Sequence, residues 1–121
     1  MESKDFRLAS CRYGQVRVRI ELEDRLVKRI TLISYATNVI DIGFYGDGAY
    51  WDCSGTYSRT TAKHIGKFTR EFLGENLYFT AKDIAMTGEV LTLTPQQVAI
   101  ASQRAYDYYY RDASYPYNGN Y

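Results

Sequence analysis

The stretch Ser34–Phe72 (SYATNVIDIGFYGDGAYWDCSGTYSRTTAKHIGKFTREF) decides the fold of this chain. Its first part holds two strand-like segments, residues 37–45 and 49–53, on either side of Gly46-Asp47-Gly48. Glycine adopts positive φ at little cost, so this arrangement predicts a β-hairpin. Its second part, Tyr57-Ser58-Arg59-Thr60-Thr61-Ala62-Lys63-His64-Ile65, combines hydroxyls and cations where a helix begins. The stretch therefore predicts a hairpin followed by a helix, on which the rest of the chain packs.

The helix is predicted from an apolar repeat. Apolar side chains recur every three or four residues, which places them on one helix face. They are Ala62, Ile65, Phe68 and Phe72. Because Gly74 is a typical helix stop, the helix should cover about residues 61–73 and pack its apolar face on the sheet.

Two further strands are predicted before the hairpin. Apolar and charged residues alternate completely from Gln15 to Glu23, as in a strand with one buried face. Residues 26–35 (LVKRITLISY) are rich in β-branched and apolar side chains and predict the return strand. Residues 1–14 carry no clear pattern.

The segment after the helix has weaker signals. Residues 75–80 are interpreted as extended, and residues 82–88 as a connector with room for one helical turn. Residues 89–94 (EVLTLT) alternate again and predict a strand. A capping Thr94, followed by Pro95 and by Gln97 in capping-box position, predicts a second helix over about residues 95–111.

Together these elements predict an α+β fold. We expect a mainly antiparallel sheet of four to six strands, with the helices at about residues 61–73 and 95–111 packed against it. A length of 121 residues fits a single domain. We assign residues 1–113 to this domain and residues 114–121 to a tyrosine-rich tail.

Composition restricts the classes of partner. Fifteen Lys and Arg against fourteen Asp and Glu give a net charge of +1, so any anion site must be local. No apolar run approaches the ~20 residues that span a bilayer, and we expect a soluble cytoplasmic protein without a membrane partner. Cys11 and Cys53 lack metal or redox spacing and are interpreted as reduced thiols.

The predicted helix start is the leading candidate site. Unpaired N–H groups and the helix dipole favour anions there, and hydroxyls and cations can add to this preference. The candidate phosphate or nucleic-acid ligands are Tyr57, Ser58, Arg59, Thr60, Thr61, Lys63 and His64. The alternative is that a hydroxyl serves as a helix cap while the cations form a solvated face.

A second candidate feature is aromatic. Tyr45, Tyr50 and Trp51 lie on adjacent predicted strands and could stack on bases while Arg59 holds phosphates. The alternative is that they are structural rings at a sheet edge.

The motif Tyr57-Ser58-x-Thr60-Thr61-x-Lys63-His64-Ile65, preceded by Ser34-Tyr35-x-Thr37, resembles an uncharacterised family of small proteins encoded by bacteriophages and Firmicutes genomes. The resemblance covers about residues 32–72. It implies a phage or mobile-element setting and no mechanism.

Catalytic sites are poorly supported. His64 is the one histidine, Ser58 lies near the opposite side of the helix start, and no nucleophile elbow is present. The carboxylates of Asp41, Asp47 and Asp52 do not have the spacing of a calcium loop. We therefore predict no catalytic residue, no metal and no cofactor; an enzyme with His64 as acid or base is the weakest alternative.

The C-terminal tyrosines predict an interface. They surround more than one helical face, and tyrosine is favoured where proteins meet, so a homo-oligomer is expected. The predicted contact residues are Tyr106, Tyr109, Tyr110, Tyr115, Tyr117 and Tyr121.

The functional hypothesis from sequence is a non-catalytic, phage-type accessory protein that binds nucleic acid or a phosphate-bearing nucleotide, with counter-defence as its purpose. The alternative is a protein–protein module, either an inhibitor of a host enzyme or a minor structural component, that uses the tyrosine-rich end.

Overall fold

The structure is a computed structural model and describes residues 1–11, 15–55 and 58–111. In chain order the elements are β1 (Glu2–Arg7), β2 (Val16–Glu23), β3 (Leu26–Ser34), β4 (Thr37–Tyr45), β5 (Gly48–Cys53), α1 (Arg59–Leu73), α2 (Tyr78–Thr87), β6 (Leu91–Thr92), α3 (Pro95–Tyr106) and a π-helical turn (Asp107–Arg111).

The six strands form one antiparallel sheet in the order β1-β2-β3-β4-β5-β6. Two-residue turns join β2 to β3 and β4 to β5. Asp24 and Arg25 both have positive φ, 53° and 68°, and Gly46 has φ 59°. Positive φ matches the turn twist to that of the flanking strands, and this keeps successive strands paired.

The two faces of the sheet differ because side chains alternate along each strand. One face is apolar: in β2, Val16, Val18, Ile20 and Leu22 are all buried. All three helices contribute residues to the core on this face. The opposite face carries charged and polar side chains and, in the described part of the chain, no helix covers it.

Helices α1 and α3 and the π-helical turn meet at the Glu71 carboxylate. It accepts hydrogen bonds from the Tyr108 hydroxyl (2.6 Å), Arg104 Nη2 (2.8 Å) and the Ser10 hydroxyl (2.8 Å). The Tyr108 hydroxyl in turn accepts one from the Ala9 amide (2.8 Å). One carboxylate on α1 therefore ties together α3, the π-helical turn and the segment after β1.

The predicted α+β class, strand number and packed helices are confirmed. The interpretation of residues 75–88 as extended chain and connector is wrong, because α2 occupies most of it. The helix predicted over residues 95–111 changes at Tyr106 into the π-helical turn. Strand β1 lies in the segment left unassigned.

Cys11 and Cys53 are buried free thiols. Among the described residues, no helix is both long and apolar enough to cross a membrane.

Candidate functional site

The hydroxyls of Ser58 and Thr61, at the start of α1, make hydrogen bonds within the protein. Ser58 is the N-cap, and its Oγ accepts from the Thr61 amide at 3.1 Å. Thr61 is buried, with its Oγ1 3.2 Å from the Ser34 hydroxyl. Ser34 Oγ also lies 2.9 Å from His64 Nδ1. These four side chains form a hydrogen-bonded chain between the end of β3 and the first turn of α1.

His64 is part of this internal chain, and its side chain is 8% exposed. Burial, together with the positive charge of Lys67, lowers the pKa of His64 and favours the neutral imidazole. The predicted ligand-facing role of Thr61 and His64 is therefore corrected to a structural one. The reason is the position of Ser34, which supplies their hydrogen-bond partner.

The cations of α1 lie on its exposed side. Arg59, Lys63, Lys67 and Arg70 are all exposed and follow one another at intervals of four, four and three residues. Such intervals place them along one side of a helix. We call these four residues the basic stripe. Of the residues predicted from the sequence, the exposed Arg59, Thr60 and Lys63 remain available to a ligand.

A groove of about 490 Å³ runs beside the basic stripe, between α1 and the start of α2. Gly66 and Asn76 both line it and lie against each other: a Cβ at Gly66 would be 2.8 Å from Asn76 Nδ2. The Asn76 side chain is held by its Oδ1, which accepts from the Tyr78 amide at 3.0 Å. Glycine at position 66 thus lets a side-chain amide approach the helix.

Aromatic rings form the second wall of the groove. Tyr78 and Phe79 both line it and make an edge-to-face pair with centroids 5.4 Å apart. Phe79 is 78% exposed, which is unusual for a phenylalanine. We call the basic stripe, Gly66, Asn76 and these two rings the basic groove.

The charge of the stripe is largely uncompensated. In the part of the chain that the structure describes, no carboxylate pairs with Arg59, Lys63 or Arg70. Lys67 donates a 3.2 Å hydrogen bond to the Ser10 carbonyl, which leaves its charge in place. Four positive charges on one helix side create a local potential that attracts anions, despite the low net charge.

The predicted stacking residues are divided between the two faces of the sheet. Tyr45 and Tyr50 stack on each other with centroids 4.7 Å apart, on the face away from α1. Trp51 points the other way and is 2% exposed in the core. The prediction that these rings act together with Arg59 is therefore wrong, because strand alternation separates Tyr50 from Trp51 and the sheet separates both tyrosines from α1.

The C-terminal tyrosines have intramolecular contacts. The Tyr106 hydroxyl donates to the Arg25 carbonyl at 3.0 Å, and the Tyr109 ring packs on Phe6. Tyr110 is 56% exposed. Four predicted site residues lie outside the described residues: Tyr57, Tyr115, Tyr117 and Tyr121.

Five side chains of the basic groove were not among the predicted site residues: Lys67, Arg70, Asn76, Tyr78 and Phe79. The spacing of the cations along α1 was a signal that could have identified the first two. The others depend on α2, which the sequence did not predict. Among the described residues, no three His, Cys, Asp or Glu side chains are placed to hold a metal ion.

No curated protein and no solved structure is significantly similar to this chain. One family model does match, over residues 9–86, which is well over half of the chain and includes every residue of the basic groove. The protein therefore belongs to DUF8033, a family of unknown function.

Proposed function

We propose that the protein binds nucleic acid in the basic groove, without catalysing a reaction. The observation that carries the proposal is one groove with the basic stripe on one wall and, on the other, the exposed ring of Phe79 beside the half-buried ring of Tyr78. Cations supply phosphate contacts that do not depend on sequence, and aromatic rings supply stacking surfaces for bases.

The length of the basic stripe and the exposed ring beside it favour a single strand of nucleic acid. Arg59 and Arg70 are eleven residues apart on α1, which corresponds to about 16 Å along the helix axis. This length accommodates several phosphates of one strand. Stacking on Phe79 requires a base that is not paired in a duplex, and single-stranded segments provide such bases. The ligand class is therefore single-stranded DNA or RNA.

The electrostatic part is tested by removing two cations of the stripe. Arg59→Ala with Lys63→Ala should weaken binding to a fluorescent single-stranded oligonucleotide, measured by anisotropy. Four phosphate contacts give a slope of log K against log salt of about −3 for a single strand, and the double variant should reduce it to about −1.5. The melting temperature should hardly change, because exposed charges contribute little to stability.

The matched control removes the same charge elsewhere. Arg25 lies in the β2–β3 turn and Lys28 in β3, both away from the groove. Arg25 has positive φ, so glycine is the suitable replacement there. Arg25→Gly with Lys28→Ala should leave affinity and salt dependence unchanged. Equal losses in both double variants would mean that only total charge matters, and would refute a site on α1.

The stacking part is tested at Phe79. Phe79→Ala should weaken oligonucleotide binding by about 1–3 kcal/mol, the range for loss of one base–aromatic stack. Met86 is exposed on the same helix but does not line the groove, so Met86→Ala is the control. If wild-type protein shows no salt-sensitive binding to single-stranded DNA or RNA, the proposed function is wrong.

The protein–protein alternative stays a prediction. Tyr106 and Tyr109 contact their own chain, so among the described tyrosines of the predicted interface Tyr110 is the most exposed. Light scattering on the full chain and on a form without residues 114–121 tests it: a smaller particle after deletion supports subunit contacts through the tail. If both forms are monomeric, the predicted subunit contact is wrong. A phage setting and a counter-defence purpose are likewise predictions.

A further inference from the structure

The open face of the sheet carries a fixed pair of tyrosines. Tyr45 lies back over Gly43, where an added Cβ would be 3.0 Å from the Tyr45 ring. The ring stacks on Tyr50, the cross-strand partner of Gly43. The absence of a side chain at Gly43 thus lets the two rings lie together on the surface, and both remain exposed.

Two carboxylates lie next to these rings. Asp41 and Asp52 are directly opposite each other on β4 and β5, an arrangement of like charges that destabilises a sheet. Asp41 is compensated by Arg29 at 3.2 Å and by the Thr31 hydroxyl at 2.8 Å. The Asp52 carboxylate makes no hydrogen bond or ion pair with any residue that the structure describes. Burial, and then the charge of Asp41, raise the pKa of Asp52.

The rings and carboxylates line one pocket of about 350 Å³. Its charged side chains are Glu21, Glu23, Lys28, Arg29, Asp41 and Asp52, and Met1 with its amino group also lines it. Arg29 and Asp41 compensate each other, and the three remaining carboxylates exceed the cationic groups of Lys28 and Met1. This charge distribution disfavours the phosphates that Tyr45 and Tyr50 were predicted to accompany. It favours a ligand that is positively charged.

We propose that this pocket binds a linear polyamine. The faces of tyrosine rings attract organic cations, and the unpaired carboxylate of Asp52 provides a counter-ion beside them. Glu21 on β2 and Asp52 on β5 are three strands apart, which corresponds to about 14 Å at the usual strand spacing. An extended chain with several ammonium groups spans this distance and can meet both carboxylates, whereas a single ammonium ion meets one.

The test uses spermidine as the probe and nitrogen-15 NMR of the full chain at neutral pH and low salt. Spermidine should shift the amide signals of Gly43, Tyr50 and Asp52 in a saturable manner. An uncharged glycol of similar length should shift none of them. Asp52→Asn and Tyr50→Leu should each weaken binding about tenfold, while Asp47→Asn, which removes a charge from the same hairpin outside the pocket, should bind like the wild type.

Two results would overturn the proposal. The first is the absence of saturable shifts in these residues at millimolar spermidine. The second is wild-type affinity in either Asp52→Asn or Tyr50→Leu, since both the carboxylate and the ring are required. Asp52→Asn is nearly isosteric, and the dispersion of its spectrum reports directly whether the fold is kept. Because the basic groove lies on the other side of the sheet, either result leaves the proposed function unaffected.

Discussion

Replacing Tyr108 by phenylalanine should weaken the junction at Glu71 while keeping the aromatic packing. Tyr108 is 1% exposed, and its ring contacts Phe6 and Phe72. The hydroxyl donates to the Glu71 carboxylate at 2.6 Å and accepts from the Ala9 amide at 2.8 Å. Removal of one oxygen therefore deletes two hydrogen bonds and no apolar contact.

The size of the stability loss depends on the hydrogen bonds that are lost and on the partners that Glu71 keeps. A hydrogen bond to a charged group contributes about 1.5–3 kcal/mol, and a partly buried amide without a partner adds a penalty of about 1 kcal/mol or more. Glu71 keeps Arg104 and Ser10, so its charge stays compensated. Tyr108→Phe should thus lower the free energy of unfolding by about 2.5–4 kcal/mol.

Urea denaturation followed by circular dichroism measures this loss. With a slope of about 2 kcal/mol/M, the midpoint should fall by about 1–2 M. Tyr110→Phe is the control, because Tyr110 belongs to the same π-helical turn but is mostly exposed. A midpoint change in Tyr108→Phe as small as that in the control would show that the Glu71 junction does not stabilise the fold.

Three further predictions concern single residues. Phe68 is fully buried and stacks on Phe72, so Phe68→Ala should cost about 3–5 kcal/mol in urea denaturation; a loss well under ~1 kcal/mol would mean that the α1 face is wrongly assigned. The pKa of His64 is lower in the folded state than its ordinary value of 6.5, so the unfolded state binds more protons than the folded state below about that pH. The free energy of unfolding should therefore decrease as the pH drops from about 6.5 towards the pKa of the folded state. This loss should be smaller in His64→Gln, and an equal pH dependence in both proteins would contradict it. The pKa of Asp52 is raised above 3.8, so its contribution to stability decreases as the pH rises above that value. Asp52→Asn should therefore raise the melting temperature at pH 7. A lower melting temperature would contradict the conclusion that the facing carboxylates of Asp41 and Asp52 destabilise the sheet.

Most of the sheet, though not β1, and two of the helices could be predicted because their signals are local. Strict alternation in residues 15–23 fixes β2, and the capping box of Thr94 and Gln97 fixes the start of α3. Helix α2 has neither kind of signal. Leu77 at its N-cap makes no side-chain hydrogen bond, and Ala81 and Ile84 are its two buried residues. Its aromatic start therefore resembled an extended segment.

The candidate site was only half predictable for a related reason. The sequence indicated a helix start rich in hydroxyls and cations, and Arg59 and Lys63 do lie on an exposed surface. Which hydroxyls turn inward depends on Ser34, which is 27 residues from Thr61 and reaches it through the fold. The aromatic wall depends on α2. A contact between residues that are far apart in the sequence produces no local sequence pattern from which it could be predicted.

The order of the strands has a consequence for how the protein is made. Each strand after β1 pairs with the strand that precedes it in the chain, and short connections join the first five strands, whereas α1 and α2 separate β6 from β5. Short loops between partners make closure inexpensive in entropy and favour rapid folding. A nascent chain that has just left the ribosome through β5 already contains five of the six strands in their final neighbourhood. At that moment β5 is an edge of the sheet in addition to β1, and it gains its partner β6 and the packing of α2 only when these emerge. A translational pause after β5 is therefore the point at which association with other nascent chains is most favoured.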